Sequence, residues 1–184
     1  MIRLLILTIG LFFGLGLQAQ SKAVDVSNSI VNWTGKKVTG QHTGEISISA
    51  GTLEFTDGAL SGGSFTIDMT SLKTTDLSGG MAGKLDGHLK SDDFFGVATH
   101  PTATLVITDV AMDDAAYKVT GDLTIKGKTA PVTFTTTIMP DVAKADITVD
   151  RTVYDVRYGS GKFFDNLGDK MISDNFDLSV SLAF

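Results

Sequence analysis

Apolar and polar residues alternate along most of this chain with a period of two, the period of a β-strand whose two faces meet different environments. The clearest stretch sets Tyr117, Val119, Gly121, Leu123 and Ile125 on one face against Lys118, Thr120, Asp122, Thr124 and Lys126 on the other. After Gly127 and Lys128 the alternation resumes with Val132, Phe134, Thr136 and Ile138, so residues 116 to 139 read as a hairpin turning near Lys126 to Ala130. Later strands carry Ala145, Ile147 and Val149, then Phe176, Leu178, Val180, Leu182 and Phe184. Earlier ones carry Val31 and Trp33, and Ala103, Leu105 and Ile107.

Two changes of phase are informative. Ile46, Ile48 and Ala50 occupy even positions but Leu53 and Phe55 odd ones, with the switch beside Gly51. Leu60 is even while Phe65, Ile67 and Met69 are odd, with Gly62 and Gly63 between. A one-residue slip at glycine is the mark of a β-bulge, which keeps the apolar side inward while the strand bends. About eight such strands, strongly bent, predict an all-β fold: a single antiparallel up-and-down barrel closed on itself. From Leu77 to Phe95 the texture changes. Met81, Leu85 and Leu89 fall four apart and predict a short helix insertion, with Thr75 or Asp76 as its cap, and Gly79, Gly80, Gly83 and Gly87 make it dependent on packing. Tyr158 to Lys170 forms a second irregular stretch around Phe163 and Phe164.

The extreme N-terminus follows another rule. Arg3, an apolar run from Leu4 to Leu17, and small or polar residues from Gln18 to Ser21 have the anatomy of a secretory signal peptide over residues 1–19, too short for a membrane-spanning helix. The mature domain is then 20–184 and the expected location is the periplasm or the medium. With no Cys in 184 residues, neither a lipoprotein anchor nor a disulfide is available, and stability rests on burial and backbone pairing. Losing residues 1–19 removes Arg3 and no acid. Lys and Arg fall from 15 to 14 against 21 Asp and Glu, and the net charge moves from -6 to -7. An acidic chain without clustered Lys and Arg argues against a nucleic-acid partner.

Inward faces of eight strands can interlock as a filled core or line a small ligand, and periodicity does not distinguish the two. Strands of about ten residues give a barrel roughly 30 Å long, and each methylene of a buried chain contributes about 0.8 kcal/mol.

Several co-linear segments carry a resemblance. His88 to Phe95 (HLKSDDFF) with Pro101 to Ala103, Gly121 to Gly127 (GDLTIKG), Val149 to Thr152, Asp165 to Lys170 (DNLGDK) and the opening Ser29 to Trp33 resemble the YceI-like lipid-binding family, in order, over essentially the whole of residues 20–184. Asp155 and Arg157 depart from the more aliphatic stretch of that pattern. The resemblance implies a bacterial periplasmic or secreted protein and an extended lipocalin-like barrel. It also implies a lumen that takes a polyisoprenoid, an isoprenoid quinone tail or another long amphiphile, with no catalysis and no cofactor beyond the bound lipid.

On this reading the ligand wall comprises Trp33, Phe55, Phe65, Ile67, Met69, Leu105, Ile107, Leu123, Ile125, Phe134, Ile138, Phe176 and Leu178, with Leu85, Leu89, Phe94, Phe95, Phe163 and Phe164 closing an end. Plain core packing is the alternative for each. His42, His88 and His100 lack metal-ligand spacing, and no nucleophile elbow is present, so neither a metal site nor a catalytic residue is expected. Arg151 and Lys162 are candidates for a polar rim or for ion pairs with Asp150, Asp165 or Asp169. The expected partner is a long apolar lipid, with no membrane span after signal removal and a homodimer as the one self-association considered. An enzyme acting on a lipid or small amphiphile, and a filled barrel serving protein contact, are the alternatives.

Overall fold

The computed structural model describes residues 18–184. The proposed signal peptide, except Gln18 and Ala19, lies outside the described residues. Among the described residues nine strands are present: β1 Ala19–Ala23, β2 Asp25–Lys37, β3 Gly40–Thr56, β4 Ala59–Thr74, β5 Thr102–Asp113, β6 Ala116–Ile125, β7 Lys128–Met139, β8 Val142–Asp150 and β9 Ile172–Ala183. One helix, α1 Gly79–Lys90, separates β4 from β5. Every pairing is antiparallel. Because β2 pairs with both β3 and β9, and β3 with β4, strands β2 to β9 close into an eight-stranded barrel with no free edge. β1 lies along the far half of β3, from Ala19 opposite Thr56 to Ala23 opposite Thr52.

The hairpins are tight where the sequence permits positive φ. Asp57 and Gly58 join β3 to β4 at φ 52° and 82°, and Lys126 and Gly127 join β6 to β7 at 51° and 70°. Turns with both central residues left-handed match the twist of the flanking strands, so the expected turn at 126 to 130 narrows to two residues.

Both phase changes correspond to bulges. Ile48 pairs with Ile67 and Ala50 with Thr66, leaving Ser49 as the extra residue; Glu54 pairs with Gly62 and Phe55 with Leu60, leaving Ser61. Ile48, Leu53, Phe55, Leu60 and Phe65 all remain buried across these slips. Gly51 is required by a close approach, since a Cβ there would stand 2.8 Å from the Phe65 ring. Outside, Thr120 and Thr133 meet across strands with hydroxyls 3.0 Å apart, as do Thr124 and Thr129 at 2.8 Å, the cross-strand pairing that suits a wet face.

The helix is shorter than its predicted span of 77 to 95. It ends at Lys90 because Ser91 turns extended and its hydroxyl donates to the His88 carbonyl at 2.7 Å. Its cap is Ser78 rather than Thr75 or Asp76. The Asp76 carboxylate is engaged elsewhere, accepting from the Thr43 N–H at 3.1 Å and lying 2.9 Å from His42 Nδ1. No residue of α1 is fully buried and Met81 is exposed. Phe94 and Phe95 enter the core from the turns that follow, where Phe95 N–H donates to the Leu89 carbonyl and Val97 N–H to that of Lys90. No helix among the described residues is long and apolar enough to cross a membrane.

A candidate ligand tunnel through the barrel

The inward faces do not interlock completely. Two chambers of about 100 and about 130 Å³ lie end to end inside the barrel, each spacious on a scale where roughly 10–15 Å³ holds one water. Val31, Ile67, Leu123 and Leu178, one each from β2, β4, β6 and β9, line both chambers and form a waist between them.

The upper chamber is bounded by strands alone. Phe65, Leu105, Ile107, Phe134 and Ile138 line it, and Leu53, Leu60, Val119 and Leu182 complete its wall. Its one polar residue, Thr136, is satisfied, donating from Oγ1 to the Lys144 carbonyl at 2.9 Å. A space with no unsatisfied polar group stays dry and favours apolar guests. Beyond it Phe55 and Phe184 meet with ring centroids 5.9 Å apart, and the Lys22 ammonium from β1 lies over both rings at 5.5 and 4.7 Å.

The lower chamber has a more varied wall. Trp33, Met69, Ile125 and Phe176 come from strands, and Leu89, Phe94 and Phe95 from the end of α1 and its following turns. Gly35, Lys36, Ser173 and Asn175 add backbone and polar groups at the rim. A cross-strand row of Leu178, Trp33, Gly44 and Thr74 runs over β9, β2, β3 and β4. Gly44 is glycine because the indole lies flat over it. A Cβ there would fall 2.4 Å from Trp33 Cζ2 and 2.0 Å from the Lys73 carbonyl oxygen.

Arg151 also lines this chamber, and it is 2% exposed. The 3-10 turn Arg151–Tyr154 that follows β8 carries it inward, capped by the Asp150 carboxylate, which accepts from the Thr152 N–H at 2.9 Å. Its guanidinium donates to the carbonyls of Ser173 (2.9 Å), Val156 (2.7 Å) and Ile172 (3.1 Å), and Asp174 lies 3.9 Å away. Burial pulls its pKa down from the ordinary value while Asp174 and Asp150 push it back up. Lys162 stays outside, bridging Asp150 at 2.8 Å and Asp174 at 3.5 Å; neither Asp165 nor Asp169 is its partner. The departing residues Asp155 and Arg157 pair with each other at 2.6 Å on the surface.

Four residues of the expected wall stand outside both chambers. Phe163 and Phe164 are exposed because their turn folds back on Ser160, whose carbonyl accepts from both N–H groups; Arg157 covers the Phe163 ring at 4.9 Å. Leu85 belongs to α1, which packs mainly on β4, and it is half-buried there without reaching either chamber. Phe55 is buried but packs on Phe184. Conversely, Ser173 and Asn175 line the lower chamber without belonging to the expected wall, and Arg151, a candidate for the polar rim or an ion pair, lines it from a buried position; their inward course follows from the 3-10 turn and a register break on β9, which periodicity does not reveal. The histidines stand apart. His42 faces Asp76, His88 stacks edge-on between Tyr158 (4.5 Å) and Phe94 (5.6 Å), and His100 sits in the turn before β5.

Comparison with known proteins places this architecture. The barrel superposes on Burkholderia cenocepacia BcnA with a TM-score of 0.71 and 25% identity, covering 88% of this chain and 99% of that one. A polyisoprenoid binding domain from Saccharophagus degradans shares the fold at a TM-score of 0.63 and 16% identity, over 91% and 98% of the two chains. Protein YceI of Escherichia coli O157:H7 is 41% identical over 68 residues, 37% of this chain and 32% of the relative. A UPF0312 protein of Pectobacterium carotovorum is 47% identical over 47 residues, 26% of this chain and 24% of the relative, so these alignments span a quarter to a third of the relatives' length. The YceI-like domain model matches residues 23–184, and the chain belongs to the YceI-like family.

Proposed function

We propose that this protein is a carrier that sequesters one long apolar lipid, an isoprenoid, inside the barrel and moves it through an aqueous compartment. The observation that carries the reading is the pair of apolar chambers meeting at a waist, the upper one without an unsatisfied polar group. Burial of the chain drives binding at roughly 0.8 kcal/mol per methylene against the entropy of fixing it. The polyisoprenoid binding of the Saccharophagus relative agrees with an isoprenoid guest. The compartment we assign is the periplasm or the medium, from the charged, apolar, then small-residue order of residues 1–19.

Acid–base catalysis finds no support in this lining. Its ionisable groups are Lys36, tied to Asp177 at 2.6 Å, and Arg151, held by three backbone carbonyls. The reading needs neither a metal nor a resident cofactor other than the lipid.

Mass spectrometry of an organic extract of the purified protein tests this. A long-chain isoprenoid in stoichiometric amount is expected, and its loss from Leu123→Asp and Phe134→Asp variants that retain the β circular-dichroism spectrum. No lipid in the extract, and none taken up from a supplied isoprenoid mixture, would overturn the proposal. Native mass spectrometry of the same sample reads ligand mass and subunit number together, including any homodimer.

A further inference from the structure

The irregular stretch before β9 takes no part in the tunnel wall. It nevertheless carries Tyr158, Phe163 and Phe164, which are the exposed aromatic side chains among the described residues. Phe163 and Phe164 leave 44% and 49% of their surface in water. Met171 and Val38 are exposed beside them, and the Val38 N–H donates to the Met171 carbonyl at 3.2 Å. The Met171 side chain lies against the same turn, since a Cβ at Gly161 would stand 3.0 Å from its sulfur. These five side chains form one apolar patch, far larger than the scattered exposure expected of a soluble surface.

The patch borders the mouth of the lower chamber. Ile172, which lines that chamber, donates its N–H to the Gly159 carbonyl at 2.8 Å. Tyr158 meets the ring of His88, whose neighbour Leu89 lines the chamber too, and Lys36 at the chamber rim precedes Val38 by two residues. A chain that water excludes therefore has apolar surface to follow from outside the barrel to the lower chamber.

Size and composition decide what covers the patch. About half of each of five side chains amounts to a few hundred Å², well below the roughly 800 Å² per partner that a stable dimer buries. A bilayer sets no such requirement, because exposed rings settle at head-group level while cationic neighbours stay in the wet layer. Lys37 and Lys170 adjoin Val38 and Met171 and form no ion pair among the described residues, while Arg157 covers the Phe163 ring at 4.9 Å. Asp165 and Asp169 share the turn, so charge alone does not hold a membrane here and the rings must enter it.

We propose that Val38, Tyr158, Phe163, Phe164 and Met171 seat the barrel on a lipid bilayer, with the lower chamber facing the membrane and the guest passing through that end. The inference rests on the carrier reading and adds to it the docking surface and the route of entry.

Sedimentation with phosphatidylcholine vesicles, with and without phosphatidylglycerol, tests the seat. The wild-type protein is expected to partition onto both, a few-fold more strongly with the anionic lipid. The Phe163→Ser, Phe164→Ser double variant should partition about tenfold less. Met112→Ser, at an exposed apolar residue at the opposite end of the barrel, should behave as wild type. Phe164→Trp adds one indole to that of Trp33, the single native tryptophan, and its added fluorescence should be quenched by vesicles of brominated phosphatidylcholine. No partition of wild type, equal loss in Met112→Ser, or an unquenched Phe164→Trp would each overturn the proposal. So would a wild-type dimer in sedimentation velocity that the double variant dissolves without any change in vesicle partition. Uptake of tritiated geranylgeraniol separates the two readings. The double variant should take it up about tenfold more slowly from vesicles and at the wild-type rate from a dilute ethanolic dispersion. Undiminished uptake from vesicles would overturn the seat alone, whereas vesicle binding by a wild type that takes up the alcohol from neither source would overturn the carrier reading.

Discussion

The guanidinium of Arg151 lies 5.5 Å from the centroid of the Phe94 ring, a cation held against an aromatic wall at the lower end of the tunnel. Because three backbone carbonyls from two different segments converge on the same group, Arg151 ties the turn after β8 to the start of β9. Arg151→Met keeps most of the stem but leaves those carbonyls and Asp174 unpaired. It is expected to lower the unfolding free energy by about 3–5 kcal/mol in urea titrations. A loss under about 1 kcal/mol would show that the contacts are not structural.

The waist gives a prediction about length. Ile67 lines both chambers, so Ile67→Phe is expected to narrow the passage at a cost of about 1–3 kcal/mol from overpacking. In a series of isoprenoid alcohols from C10 to C40, the variant should retain the short members and lose the long ones. Equal retention of all lengths would mean that guests do not pass the waist.

Acid should destabilise the barrel in a defined window. The Asp177 carboxyl is held below the ordinary range by Lys36 and then Thr148. At Asp150 burial opposes ionisation, but hydrogen bonds from Lys162 and Thr152 together prevail and its pKa is also lowered. Carboxyls with depressed folded pKa values contribute stability that is present above the unfolded value of about 3.9 and is lost as pH falls through the folded values. Urea midpoints should therefore stay nearly level from pH 7 to 5 and fall below about pH 4. The effect is modest for pairs this exposed, and an Asp150→Asn, Asp177→Asn double variant should show a shallower fall. A fall as steep as that of wild type would assign the acid sensitivity elsewhere.

Helix α1 is the element most suited to open. It buries no residue fully, and Gly79, Gly80, Gly83 and Gly87 have no neighbour within 4 Å of where a side chain would begin. Amide hydrogen exchange in α1 is expected to be much faster than in β6 and β7. Protection equal to the strands would rule out α1 as the gate to Leu89, Phe94 and the chamber they close.

How far the sequence reaches can be judged from single residues. Period two at Val119, Leu123 and Ile125 marks an inward face without ambiguity, and the phase slips beside Gly51 and Gly62 announce the bulges at Ser49 and Ser61, because local backbone geometry and burial leave their mark on neighbouring positions. The chambers are not legible in the same way, since Leu123 would read identically in a filled core. Arg151 reads as a polar-rim or ion-pair residue, and its burial is not legible because the carbonyls that hold it lie up to 22 residues away. Phe163 and Phe164 read as core because aromatics usually are, but hydrogen bonds to Ser160 hold their turn outside the barrel. The end of α1 at Ser91, where a side-chain hydroxyl takes the His88 carbonyl, is likewise a local competition that the four-residue spacing of Met81, Leu85 and Leu89 does not record.

Diffraction from crystals of the protein grown with a C40 isoprenoid alcohol tests the central claim most directly. One unbroken ribbon of electron density is predicted, passing between Val31, Ile67, Leu123 and Leu178 from one chamber into the other. Side chains filling both chambers, with the alcohol confined to the outer surface, would contradict it.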